Sequence, residues 1–174
     1  DRDFLKRYAE CPKIGEVSDV RLGVTTGNNA RFLRTPTEIY PRRYDVFKIT
    51  ESSPDLLCPW VPYIKGAGGK AWMEPLSGVL QWNLKGMELK LYGGSYVRNE
   101  SYFFVPGVSF STIGSGFKSR LHAYRSAFDV SGSSVFPAEM GKALCLMNSG
   151  EAREVLRALN PTVNFQVGDV ARLP

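Results

Sequence analysis

Two clusters of polar and basic residues hold most of the chemistry this chain can offer. Thr26, Asn28, Asn29, Arg31 and Arg34 lie within one short stretch. Forked amide and guanidinium groups pair bidentately with adenine and guanine edges, so this set can read bases. Gly27-Asn28-Asn29 also suits a tight turn, because Gly and Asn tolerate positive φ, and both readings stay open. The second cluster is Ser109, Ser111, Thr112, Ser115, Lys118, Ser119 and Arg120. Small hydroxyls and two bases fit phosphate and sugar oxygens. On a strand Lys118 and Arg120 share one face, and at least one of them is expected to meet phosphate. Lys65 and Lys70 flank Gly66-Ala67-Gly68-Gly69, whose backbone N–H groups could face a phosphate or simply form a connector. The loop is not a nucleotide-binding P-loop: Ile64 occupies the first Gly position and Ala71 replaces the magnesium-binding Ser/Thr.

Catalytic patterns are missing, so no catalytic residue is assigned. His122 is the single imidazole, and the three cysteines (Cys11, Cys58, Cys145) are far apart without a CxxC pair. That argues against a disulfide framework and a structural metal site. An independent hydrolase would rest wholly on His122 or Cys58, and alanine replacement of both tests it. Adenine methyl transfer needs an Asn/Asp-Pro-Pro-aromatic loop; the nearest string, Asn160-Pro161-Thr162-Val163, lacks the second proline and the aromatic.

The elements that must position these residues point to a mixed α/β (α+β) fold. A twisted, mostly β N-terminal region is followed by two C-terminal helices. Phe4, Leu5 and Tyr8 recur at helical spacing and predict an opening helix. Strands are expected over 17–24, 32–33, 44–49, 60–64, 79–82, 102–105, 108–112 and 117–121. Pro137 suits the first position of a helix with Met140, Ala143, Leu144 and Met147 on its apolar stripe. Ser149 then caps a second helix bearing Ala152, Val155, Leu156 and Leu159, which Asn160-Pro161 ends. Cys145, inside Ala143-Leu144-Cys145-Leu146-Met147, reads as core.

The chain has 174 residues, 43% of them hydrophobic, enough for one packed domain. Its longest apolar run, Ala143 to Met147, is far short of the roughly 20 residues a membrane helix needs. With no secretory signal at Asp1-Arg2-Asp3-Phe4, a cytoplasmic location is expected. The absent initiating Met and the stop at Leu173-Pro174 predict a piece of a longer protein. The net charge is +5 and the surplus is local: between Leu56 and Phe128 eight bases face three acids, as a polyanion-binding face requires.

The order of motifs resembles a known family. Leu22-Gly23-Val24-Thr25-Thr26-Gly27-Asn28-Asn29-Ala30-Arg31-Phe32-Leu33-Arg34 is similar to the G-x-x-T-G-x-N-x-x-F-x-R stretch that opens TaqI-like target recognition (specificity) domains. These belong to adenine-specific DNA methyltransferases of type IIG restriction–modification and BREX phage-defence systems. Trp60-Val61-Pro62-Tyr63-Ile64-Lys65-Gly66 resembles the P-Y-x-K-G block. Trp82 with Gly86-Met87-Glu88-Leu89-Lys90 resembles W-x-x-x-G-x-E-I-K. Tyr102-Phe103-Phe104-Val105-Pro106-Gly107-Val108-Ser109-Phe110-Ser111 and Leu159-Asn160-Pro161-Thr162-Val163-Asn164-Phe165-Gln166-Val167-Gly168-Asp169-Val170 match two further blocks. The chain departs after Lys65, where Gly69-Lys70-Ala71-Trp72 replaces the Arg-Lys-Trp-Tyr-Gly-Asn run of many BREX members.

The resemblance implies a recognition domain over 16–174, with 1–15 as a linker or short helix from an upstream domain. It implies that double-stranded DNA is the partner, and that S-adenosylmethionine and catalysis belong to that methyltransferase domain, itself open to fusion with an endonuclease. This piece would then bind no cofactor and no metal. Its DNA contacts would be Thr26, Asn28, Asn29, Arg31, Arg34, Lys65, Lys70, Ser111, Thr112, Lys118 and Arg120. The alternative is a protein-interaction module that docks another subunit of a defence complex.

Overall fold

The computed structural model describes residues 2–39, 59–66 and 70–174. The chain opens with helices α1 (Arg2–Glu10) and α2 (Ile14–Val17), strand β1 (Asp19–Arg21), helix α3 (Asn29–Phe32), strand β2 (Leu33–Arg34) and helix α4 (Pro36–Ile39). Strands β3 (Trp60–Ile64), β4 (Trp72–Met73) and β5 (Val79–Gln81) precede helix α5 (Asn83–Leu91). Strands β6 (Val108–Phe110), β7 (Ser119–Leu121), β8 (Ala127–Phe128) and β9 (Ser134–Phe136) follow. Helices α6 (Met140–Met147), α7 (Gly150–Leu159) and α8 (Val167–Val170) close the chain. The expected mixed α/β class is what forms, with two sheets rather than one.

The first sheet has the order β1-β9-β6-β7-β4 and the second β2-β5-β3-β8. Pairing is antiparallel except where β4 lies along β7 and β8 along β3. Each sheet has its own core. Val108, Phe110 and Val135 of the first pack under Met147, Val155 and Leu156 of the C-terminal helices, with Phe117 and Phe165 between. Val61, Ile64, Leu80 and Phe128 of the second meet Phe32, Trp82, Leu89 and Phe103. The Phe128 and Phe136 rings, 5.5 Å apart, join the sheets. The two ends of the chain are tied together, because the Ile14 and Gly15 N–H groups donate to the Leu173 and Ala171 carbonyls at 2.8 Å.

Several expectations need correction. Residues 17–24 form a ladder only over Asp19–Arg21, after a helical turn. Phe32 is helical, and the strand starts at Leu33. The strand expected over 102–105 is instead a 3-10 turn at Glu100–Tyr102, followed by Phe104 at φ +64°. The strands near 108–112 and 117–121 are confined to Val108–Phe110 and Ser119–Leu121. Helix α6 begins at Met140, three residues past Pro137. Cys145 is exposed: Met140, Leu144 and Met147 take the inner face, and Cys145 turns away from it. The expected strand over 44–49 and Cys58 lie outside the described residues.

Helix α5 was not foreseen. Its entry runs left-handed through Leu84, Lys85 and Gly86 (φ 49°, 56° and 72°). A Cβ on Gly86 would also come within 2.7 Å of the Trp82 ring, so backbone and packing both demand glycine there.

Candidate nucleic-acid interface

The segment from Thr26 to Arg34 is a built turn whose polar atoms are largely in use. Gly27 has φ +67°, and a Cβ there would clash with the Gly94 carbonyl. The Thr26 hydroxyl, buried, donates to Asn29 Oδ1 at 2.6 Å. Asn28 caps α3, its Oδ1 accepting from the Arg31 N–H at 3.1 Å. Both carbonyl ends are therefore engaged, whereas the amide NH2 ends keep their donors. Bidentate adenine pairing needs both ends of the amide at once, so this turn presents donors more readily than that pair.

The two arginines differ. Arg31, exposed, donates through Nε and Nη2 to Glu88 Oε1 (2.9 and 2.7 Å) and lies over the Tyr92 ring. Arg34 folds back onto the Ala30 and Leu33 carbonyls, both at 2.6 Å. With Lys65, Tyr63 and Ser77 it lines a shallow cavity of about 290 Å³, so the structure brings Arg34 and Lys65 together.

Arg120 does not face solvent. It is fully buried, and its guanidinium is ion-paired with Glu74, itself buried. The remaining donors reach Ser111 Oγ (3.3 Å) and the carbonyls of Lys65 (3.2 Å) and Lys70 (3.4 Å). Ser119 and Arg120, successive residues of β7 on opposite faces of the sheet, are both fully buried, so alternation along this strand chooses between two covered faces rather than between core and water. Arg120 thus braces the β7 strand to the backbone at Lys65 and at Lys70, and its expected phosphate contact is withdrawn. Ser111 is buried within the same network. Burial pushes the Glu74 carboxyl above the usual range, and the Arg120 charge opposes that rise.

Lys118, just outside β7, is half-buried and lines a groove with Ser115, Gly116, Gly150, Arg153, Glu154 and Arg157. Thr112 lies elsewhere, beside a second cavity with Leu22 and Phe165. Lys70 is exposed. Arg153 and Arg157 were not foreseen as site residues; their only sequence signal is the four-residue spacing on the outer side of an amphipathic helix.

Two further buried titratable groups, His122 and Tyr63, are structural. His122 is buried, with Nδ1 3.3 Å from the Val105 carbonyl and Nε2 3.0 Å from Ser134 Oγ. Burial, with the Arg120 charge adding to it, pushes its pKa down to about 4. The Tyr63 hydroxyl donates to Asp129 Oδ2 at 2.6 Å, and burial raises it well above a free phenol. Among the described residues no three His, Cys, Asp or Glu side chains gather into a metal-ligating group, and no helix is long and apolar enough to cross a membrane.

No family model matches the chain. It is 30% identical over 177 aligned positions to the adenine-specific methyltransferase PglX of Lacticaseibacillus casei (strain Zhang), a match covering 93% of this chain and 14% of that protein. It is 25% identical over 177 positions to the adenine-specific methyltransferase BrxX of Escherichia coli O9:H4 (strain HS), covering 98% of this chain and 14% of that protein. The chain thus spans about 14% of the length of the curated relatives it matches.

Proposed function

We propose that this chain is the target recognition segment of an adenine-specific DNA methyltransferase of the BREX or type IIG kind. In this reading it grips duplex DNA, while a separate domain of a longer chain binds S-adenosylmethionine and methylates the flipped adenine. The observation that carries it is the match itself: nearly all of this chain aligns with one small part of two adenine-specific methyltransferases. The local excess of bases between Leu56 and Phe128 supports a polyanion partner. Recognition would span residues 16–174, with 1–15 leading from the upstream domain.

In this role Lys65, Lys70, Lys118 and Arg34 hold phosphates, and the Asn28 and Asn29 amide donors face acceptor atoms on base edges. Arg31 joins them on exchanging Glu88 for DNA. Thr26, Ser111 and Arg120 shape the loops from within.

Fluorescence anisotropy with duplex DNA over a salt series tests the proposal. Four phosphate contacts give a log–log slope of about −3.6. A protein-docking module is the second reading, favoured by Met87 and Leu91, four apart on α5 and both exposed. Flat salt dependence or no DNA binding supports docking instead. Saturable S-adenosylmethionine binding by calorimetry overturns the division of labour.

A further inference from the structure

The fold assembles a cationic groove that the sequence keeps apart. One wall is the 114–118 segment and the other is helix α7. Lys118, Arg153 and Arg157 line a cavity of about 540 Å³, with Glu154 as its one acid. The two arginines also line an adjoining cavity of about 320 Å³ with Gly114, Phe117, Thr162 and Phe165. Among the described residues none of the three cations is in an ion pair. Arg31, Lys90 and Lys142, by contrast, are each paired with a glutamate. Arg153 and Arg157, one turn apart, share a face. Three like charges around one groove with a single acid leave a net charge of about +2, a repulsion that an anion relieves.

Both walls are tied by hydrogen bonds, and glycine leaves the main chain open at Gly116. Asn148, between the two helices, exchanges two 3.0 Å hydrogen bonds with the backbone of Ser119, fixing the start of α7 beside Lys118. Gly114 N–H donates to the Val163 carbonyl (3.1 Å) and Phe165 N–H to the Thr112 carbonyl (2.7 Å), which hold the other wall. A Cβ on Gly116 would meet nothing within 4 Å, and its φ is not left-handed. The fold makes no demand for glycine there. Small residues at the rim let a ligand come close to the main chain.

We infer that this groove is a phosphate site for the backbone of duplex DNA, with Arg153 and Arg157 as its principal ligands and Lys118 beside them. The inference rests on the DNA-binding reading and extends the contact surface onto the C-terminal helices. Guanidinium forks match phosphate and carboxylate oxygens alike in a bidentate way, and it is the DNA-binding reading that selects the phosphodiester over an acidic protein partner.

The test uses the 174-residue chain, random-sequence duplex DNA and anisotropy at several salt concentrations. Arg153→Gln with Arg157→Gln should lower the log–log slope by about two units and weaken binding about sixtyfold at 0.1 M salt, since each lost phosphate contact removes about 0.9 decade there. Gly116→Val should weaken binding severalfold with the slope unchanged, because it blocks approach without removing charge. Lys142→Gln, an exposed cation paired with Glu139 on α6, should do neither. Thermal melts confirm that each variant folds.

If the parent binds DNA with steep salt dependence and the double variant matches it, the groove inference fails and the DNA reading stands. If Lys142→Gln loses as much as each arginine, general charge rather than a site is responsible, and the inference also fails. Competition by polyglutamate equal to that by DNA would overturn the phosphodiester assignment in favour of an acidic protein partner. No DNA binding at any salt removes both readings together.

Discussion

Replacing Arg120 with Met separates a structural brace from a DNA ligand. The substitution keeps much of the side-chain volume and leaves Glu74, only 2% exposed, without its cation. Removing one partner of a buried pair costs about 3–5 kcal/mol. At about 2–4 °C per kcal/mol for a chain of this size, a 4 kcal/mol loss lowers the melting temperature by about 8–16 °C. The loss should depend on pH. Burial already raises the Glu74 carboxyl, and without Arg120 it rises further. A raised carboxyl makes the folded state bind the extra proton, so stability falls as pH climbs above the unfolded value near 4.5 through the folded one. The variant is therefore penalised more at pH 8 than at pH 5. Glu74→Leu placed beside Arg120→Met should recover most of the loss, because it removes the stranded charge. Urea melts of the parent, both single variants and the double give the coupling directly. The reasoning is refuted if Arg120→Met melts like the parent while the DNA salt slope drops by one unit, for then the guanidinium reaches phosphate after all.

His122 gives a second titration of known sign. Its folded pKa of about 4 lies below the unfolded 6.5, so its contribution is complete above pH 6.5 and is lost as pH falls toward 4. That window is worth about 3 kcal/mol, and the stability difference between the parent and His122→Gln should shift by this amount between pH 7.5 and 4.5; a pH-independent difference would show the imidazole is not held neutral. Asn28→Ser separates cap from reader: serine keeps the helix cap, so the melt should be unchanged, while under the proposed function a lost base-edge donor costs about 1–3 kcal/mol on a preferred DNA site and little on random DNA. An equal loss on both DNAs would make the turn a backbone contact.

What the sequence revealed depended on how local the cause was. Strand Trp60–Ile64 and the Ser149 cap, which accepts from the Ala152 N–H at 3.0 Å, follow from neighbouring residues and were legible. Arg120 was not, because its partner Glu74 lies 46 positions away and its strand is buried on both faces at Ser119 and Arg120. Helix α5 escaped because a left-handed entry at Leu84 to Gly86 carries no cap signature. Cys145 misled because an unbroken apolar run says nothing of which side of a helix faces inward. Arg153 and Arg157 carried no signal beyond their helical spacing, because only the fold sets Lys118 and the 114–118 backbone opposite them.

The motif behind the family resemblance turns out to be mainly a folding motif. A Cβ on Gly23 would overlap the Phe128 carbonyl, Gly27 packs on Gly94, Thr26 ties Asn29, and Phe32 fills the second core. Each of these is fixed by geometry within the chain and has little freedom to adapt to a DNA sequence. The groups left with unused donors are others: the amide end of Asn28, Arg31 once it releases Glu88, and the cations at Lys118, Arg153 and Arg157. Under the proposed function, a domain that must keep its shape while meeting different targets needs this separation. Side chains locked by packing hold the loops, and side chains without internal partners are left to touch the ligand. Motif matching therefore finds the scaffold first, and the recognition residues have to be sought among the positions the scaffold does not constrain.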